Sequence, residues 1–353
     1  MPDERAPRSR RRRWIGIAVS VVLIVAVFGF FLPKLADYAD IWDVISGLGT
    51  SDLVLITLVG VWNLFALAPL IMTAQPGVRF MEGFVNINAG SAVANTVPGG
   101  SAIGIAINWA MFDSWGFTPA EYTLGTLLSG IWNNFVKLSL PVVALLALAA
   151  TGDLRGSFVP AAIVGVIVMA VAIVFFALVL RSDDLARSIG ALAGRVAEWG
   201  AKKVHRTVHG DTWGDGAIRF RHRSVDLVKR RWPVLTVTAF VGQLSLFLVL
   251  LVSVRAVGLS NAEVSWAEVL ASWAFVRLIS AIPITPGGLG VVELGLTAAL
   301  ANGENTALTT KAAAAVLLYR FFTYLLPIPV GAGCYVFWRL NHSWRKRRTT
   351  VTA

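Results

Sequence analysis

Two short breaks interrupt this chain inside its most apolar stretches: Thr96-Val97-Pro98-Gly99-Gly100-Ser101 and Thr285-Pro286-Gly287-Gly288-Leu289-Gly290. Apolar, helix-forming sequence stands on both sides of each. Proline removes a backbone donor and glycine is a poor helix former, so Pro-Gly-Gly stops a helix. In hydrocarbon a freed backbone group is expensive, and such a break persists only where protein or trapped water re-satisfies it. Paired breaks in corresponding places of two halves are a pointer to a binding site between them.

The surroundings of the breaks are those of a membrane chain. Of the 353 residues 56% are hydrophobic and only 14% charged, against about 25% charged in a typical soluble domain. Runs long enough to cross a hydrocarbon core of about 30 Å recur, at about 14–32, 53–74, 122–149, 158–180, 233–256 and 310–338. The interrupted segments, about 83–113 and 265–300, add to these six. The first run has a basic flank like a secretory signal, but it is too long for one and lacks a small-residue cleavage site, so it reads as a retained anchor.

The net charge of +11 is concentrated in three places. The N-terminus carries Arg5, Arg8 and Arg10 to Arg13, the stretch 181–233 carries twelve Lys and Arg, and the C-terminus carries Arg345, Lys346, Arg347 and Arg348. Each cluster abuts a span, so the excess reads as positive-inside loops touching anionic lipid, not as a nucleic-acid surface. If 83–113 crossed fully, the block 181–233 would lie outside. If 83–113 enters and returns on one side, and 265–300 does the same from the other, every basic cluster is cytoplasmic. The expected fold is therefore all-α and polytopic. It has six full transmembrane helices and two re-entrant broken hairpins, with both termini inside. A cysteine at Lys203 is expected to resist an impermeant thiol reagent in intact cells; labelling there contradicts this topology.

The two halves, about 53–149 and 233–338, run in the same order: a span, a broken segment, a polar turn, and a long span with a late proline. Pro98 precedes Pro141 by 43 residues and Pro286 precedes Pro327 by 41. With the hairpins entering from opposite faces, this is an inverted repeat of the alternating-access kind; two unrelated kinks are the bland alternative. Residues 14–340 then form one membrane domain. Basic tails occupy 1–13 and 341–353, and an amphipathic cytoplasmic block at 181–232 separates the halves. That block reads as a helix on the leaflet or on a partner protein.

Helix N-termini at the two tips attract phosphate or carboxylate. The candidate head-group residues around them are Asn95, Pro98, Gly99, Gly100 and Ser101 in the first half, and Pro286, Gly287, Gly288 and Gly290 in the second. For Gly100 and Gly288, helix packing is an equal alternative. Ionisable residues at membrane depth add Arg277, Glu293 and Arg320. Two Arg against one Glu suit a phosphate, with both arginines pairing it and Glu293 ordering them; alternatively Glu293 pairs Arg277 or Arg320 only to hold the hairpin. Asn134 and Lys137 are the first-half counterparts, Lys137 where it could snorkel. Histidines at i, i+4, His205 and His209, lack the Glu of a metal-binding HExxH pattern. No catalytic residue, metal or cofactor is expected.

Pro286-Gly287-Gly288-Leu289-Gly290-Val291-Val292-Glu293, flanked by apolar helix, resembles the signature of the lysylphosphatidylglycerol synthase transmembrane-region family. The likeness extends over roughly 14–340 through span order and the earlier Asn95-Thr-Val-Pro-Gly-Gly break. It implies a flippase-like domain of the bacterial cytoplasmic membrane that moves anionic or aminoacylated phospholipid or another polar lipid. It places function on both Pro-Gly-Gly elements and Glu293. Synthase members append a soluble aminoacyl-transfer domain; this chain ends about a dozen residues beyond its last span, so it is not expected to charge a lipid itself. The resulting reading is a non-enzymatic lipid transporter whose partners are anionic membrane lipids, with a homodimer as a further option. The alternative is a non-transporting partner or scaffold for an enzyme of envelope lipid or glycan synthesis.

Overall fold

A computed structural model of the protein describes residues 37–96, 100–152, 213–280, 286–301 and 306–344, with scattered positions between 167 and 198. The expected span 14–32, most of 158–180, residues 199–212 and scattered others of the block 181–232, and the residues Pro98 and Gly99 lie outside them. Every regular element among the described residues is helical.

A short helix α1 (Tyr38–Ser46), capped by the Asp37 carboxylate on the Ala39 N–H at 2.8 Å, precedes α2 (Thr50–Ala66) and its continuation α3 (Ala68–Ala74). Then come α4 (Phe80–Thr96), α5 (Gly100–Ser114) and α6 (Pro119–Thr151). The second half supplies α7 (Trp213–Ala256), α8 (Trp266–Ile279), a single turn at Pro286–Gly288 and α9 (Val291–Ala301). It ends with α10 (Thr306–Arg320), a π turn (Phe321–Leu325) and α11 (Pro327–Leu340). The starts of α6 and α8 are reciprocal capping boxes, Thr118 with Glu121 and Ser265 with Glu268, which satisfy two orphan N–H groups each.

Among the described residues, four stretches are long and apolar enough to cross a membrane: Thr50–Ala74, Pro119–Thr151, Leu227–Ala256 and Thr306–Leu340. They coincide with the expected spans 53–74, 122–149, 233–256 and 310–338. Their outward faces carry exposed apolar side chains, among them Leu53, Leu58, Trp62, Leu146 and Val237. Such a belt suits lipid rather than water.

Both broken segments fold back on themselves. In the first, Val93 lies against Gly100, Gly90 against Gly104, and the Asn86 amide donates to the Asn108 carbonyl at 3.3 Å. As one residue number falls the other rises, so α4 and α5 run antiparallel. A Cβ on Gly100 would run into the Val93 carbonyl oxygen, so this glycine serves close approach of the two legs. In the second, Ser280 faces Gly288 and Val276 faces Gly295, and α8 and α9 are likewise antiparallel.

The halves grip each other reciprocally. The first leg of the first hairpin, α4, packs along α11 of the second half; the first leg of the second hairpin, α8, packs along α6 of the first half. The spans that precede the hairpins, α2 and α7, pack on one another, and the Asn63 amide donates to the Ser245 hydroxyl at 2.7 Å between them. The main core surrounds the fully buried Trp273 and Tyr319, whose indole N–H and hydroxyl lie 3.2 Å apart. A second aromatic cluster, Phe112, Trp115, Phe117 and Tyr122, closes the base of the first hairpin.

The two late prolines bend the long spans differently. Pro141 sits inside α6 and has no N–H for the Lys137 carbonyl four residues earlier. Pro327 follows a π turn, in which the Leu326 N–H reaches the Phe321 carbonyl at 2.8 Å. The wider turn shifts Tyr324 into the protein, where it is buried. Interruptions of this type cluster at functional sites.

Candidate functional site

The tip of the second hairpin is built by glycine and held by one buried ion pair. Gly287, Gly288 and Gly290 all have positive φ, at 59°, 70° and 85°, a region that strains any residue with a Cβ. Glu293 stands at the third position of α9. Its Oε2 accepts the Gly290 N–H at 2.7 Å, the acidic half of a capping box. Its Oε1 accepts from Arg320 Nε at 2.6 Å. Both side chains are inside the protein, Glu293 at 1% and Arg320 at 8% exposure.

Arg320 carries the tip across to α10. Its Nη2 donates to the Gly287 carbonyl at 3.1 Å, and its guanidinium lies 4.3 Å from the Tyr324 ring centre, within cation–π range. Tyr324 in turn joins the two hairpins. Its hydroxyl donates to the Asn95 carbonyl at 2.5 Å, and the Asn95 amide returns a bond to the Tyr324 carbonyl at 3.2 Å. Asn95 lies in the last turn of α4, at the tip end of the first hairpin. The chain Glu293–Arg320–Tyr324–Asn95 thus connects one hairpin tip to the other.

A second polar cluster lies beside the first. Arg277, in the last turn of α8, donates from Nη2 to Gln243 Oε1 at 3.2 Å, and its guanidinium lies 5.6 Å from the Trp273 ring. The Gln243 amide, 1% exposed in the middle of α7, donates to Asn133 Oδ1 at 2.6 Å. Lys137, one turn beyond Asn133 on α6, is half-buried and close enough to Arg277 for the two cations to repel. Trp273 links the clusters, since it touches Arg277 on one side and bonds Tyr319, the neighbour of Arg320, on the other.

Of the residues expected from sequence, Asn95, Gly287, Gly290, Glu293 and Arg320 come together at the tips. Gly288 closes on Ser280, its own hairpin's other leg. Pro286 opens the single turn of the tip. Of the two pairings open to Glu293, the structure has the one with Arg320, while Arg277 turns to Gln243. Lys137 sits near the middle of its 33-residue helix, far from a snorkelling position. Asn134 is exposed and bonds its own helix at the Gly130 carbonyl, and Ser101 is exposed; neither joins the site. Gln243 and Tyr324 were missed. Gln243 was detectable as a lone amide in the apolar run Phe240-Val-Gly-Gln243-Leu-Ser-Leu-Phe247, a polar residue at membrane depth.

No curated protein matches the chain. The family described as Lysylphosphatidylglycerol synthase TM region matches residues 13–331, which includes both hairpins, the Glu293–Arg320 pair and the Arg277 cluster. A helical membrane chain carrying these elements across that whole stretch belongs to the lysylphosphatidylglycerol synthase transmembrane-region family.

Proposed function

We propose that the protein moves polar lipids across the bacterial cytoplasmic membrane, the head group passing where the two hairpin tips meet. The observation that carries this reading is that the two tips, from different halves, meet at Tyr324: Asn95 of the first tip exchanges hydrogen bonds with it, and Gly287 of the second lies against its ring. The first hairpin also packs on the Pro286–Gly288 turn itself, so a path between the tips opens by parting this packing together with the two hydrogen bonds to Tyr324. Family membership supports a role in lipid handling.

The hairpins are re-entrant in this account. At about 1.5 Å per residue, the 17 residues of α4 and the 14 of α8 reach about 25 Å and 21 Å, short of a hydrocarbon core of about 30 Å. Each turns back before crossing, so the tips lie at depth. The reciprocal packing of α4 on α11 and α8 on α6 supports an inverted repeat, in which one half can rock against the other around a central site. The protein acts as a transporter, not an enzyme.

The test is reconstitution of the full chain in liposomes with a fluorescent phosphatidylglycerol in both leaflets. An impermeant reductant bleaches the outer leaflet alone in protein-free vesicles. With the protein present, bleaching is expected to continue into the inner-leaflet pool. Bleaching that stops at the protein-free level contradicts the proposal.

A further inference from the structure

We infer that Arg277 and Lys137 form an anion site for a phosphate group, separate from the tip ion pair; the inference rests on the lipid-handling reading given above. Arg320 is committed: one N–H to Glu293, another to the Gly287 carbonyl, and its face to Tyr324. Arg277 is not. It spends one N–H on Gln243, and its Nε is buried with no hydrogen-bond partner. A buried guanidinium N–H without an acceptor is costly and calls for a partner.

The neighbours of Arg277 deepen that demand. Lys137 adds a second cation one turn beyond Asn133, on the helix that packs along α8, and the hydrogen bonds described for Arg277 and Gln243 include no carboxylate. The amide relay is oriented to match. Gln243 Oε1 accepts from Arg277, and Gln243 Nε2 donates to Asn133 Oδ1, so both acceptor oxygens are consumed inside the relay. The Asn133 NH2, the Lys137 ammonium and the remaining Arg277 N–H groups are donors. A set of donors with net charge +2 at mid-span is complementary to an oxyanion. Arg presents a fork suited to two phosphate oxygens, and Lys supplies a point charge. Two like charges held together without that anion lower the protein's stability. Sites that trade stability for binding are a recurrent feature of functional surfaces.

The test uses the full chain in a neutral detergent with three probes: short-chain phosphatidylglycerol, short-chain phosphatidylcholine and inorganic phosphate. Wild-type protein is expected to bind phosphatidylglycerol, and Arg277→Gln and Lys137→Met are each expected to weaken that binding at least tenfold. Arg79→Gln, at an exposed position outside the three basic clusters, leaves it unchanged. Lys137→Met is also expected to raise the melting temperature of the ligand-free protein, because it removes the repulsion; a merely structural lysine would lower it. Competition by inorganic phosphate at equal strength identifies free phosphate as the ligand, and retention of phosphatidylcholine affinity shows that the phosphodiester alone is read. Undiminished binding of every phosphate probe in both variants overturns the site. Arg277-dependent binding without lipid movement in vesicles removes the transport reading and leaves the site standing. Lipid movement with binding indifferent to both variants does the reverse.

Discussion

Glu293→Gln is expected to lower the stability of the protein by about 3–5 kcal/mol, the usual consequence of removing one partner of a buried ion pair. Glutamine has the same shape and still offers an oxygen to the Gly290 N–H, so the cap survives. What is lost is the counter-charge of an Arg320 that is 8% exposed. The loss is therefore electrostatic, and a second substitution should relieve it. Glu293→Leu combined with Arg320→Met leaves no orphaned charge and is expected to recover most of the difference, since apolar replacements of a whole buried pair are often close to neutral. Thermal unfolding of the detergent-solubilised variants measures both. A single variant as stable as wild type would mean that Arg320 finds solvent or another acceptor, and that the tip is not held as described.

Gly287→Ala is expected to cost about 2–4 kcal/mol, from two independent terms. A φ of 59° is left-handed backbone, worth about 1–2 kcal/mol against a residue with a Cβ. The new methyl would also enter the Tyr324 ring, and overpacking of this kind costs roughly 1–3 kcal/mol. Its neighbour separates the terms. At Gly288, with φ 70°, the nearest atoms to a Cβ are Val292 Cγ2 at 3.0 Å and Ser280 Cβ at 3.3 Å, so strain dominates and the loss is smaller. Gly130, in mid-helix with nothing within 4 Å of a Cβ, is the contrasting position. There, Gly130→Ala gains up to about 1 kcal/mol of helix propensity. The order Gly287, Gly288, Gly130 in melting temperature checks all three. Gly287→Ala also displaces Tyr324 and is expected to loosen the link to Asn95 along with the fold.

The breaks themselves were fully legible. Pro-Gly-Gly within apolar sequence demands a turn, and the distance to Pro141 and Pro327 matches the halves to one another. Glu293 was legible for the same reason, as a charge at depth three residues past a glycine turn. Its partner was not. Arg277 and Arg320 both precede or follow the tip at helical distance, and only the crossing of α10 over α9 decides between them. Gln243 and Asn133 are 110 residues apart, so neither announces the other, and the burial of a lone amide in an apolar run was the available signal. Tyr324 depends on the π turn, which shifts the register of the helix by a residue; regular 3.6-residue periodicity points that side chain elsewhere. Laying Pro141 on Pro327 brings Asn134 onto Arg320, yet its immediate neighbour Asn133 takes the inward position, because Pro141 lies inside a continuous helix and Pro327 follows a π turn.

The central claim, that lipid passes between the two hairpin tips, has a direct measurement. In a Cys334→Ala background, cysteines at Asn95 and Tyr324 place one thiol on each side of the contact. The fluorescent phosphatidylglycerol assay in vesicles is run before and after a short thiol-to-thiol cross-linker. Tethering the first tip to the π turn that backs Gly287 of the second tip is expected to bring lipid movement down to the protein-free rate, while the same reagent leaves either single-cysteine protein active. Unchanged movement in the cross-linked protein would contradict the account.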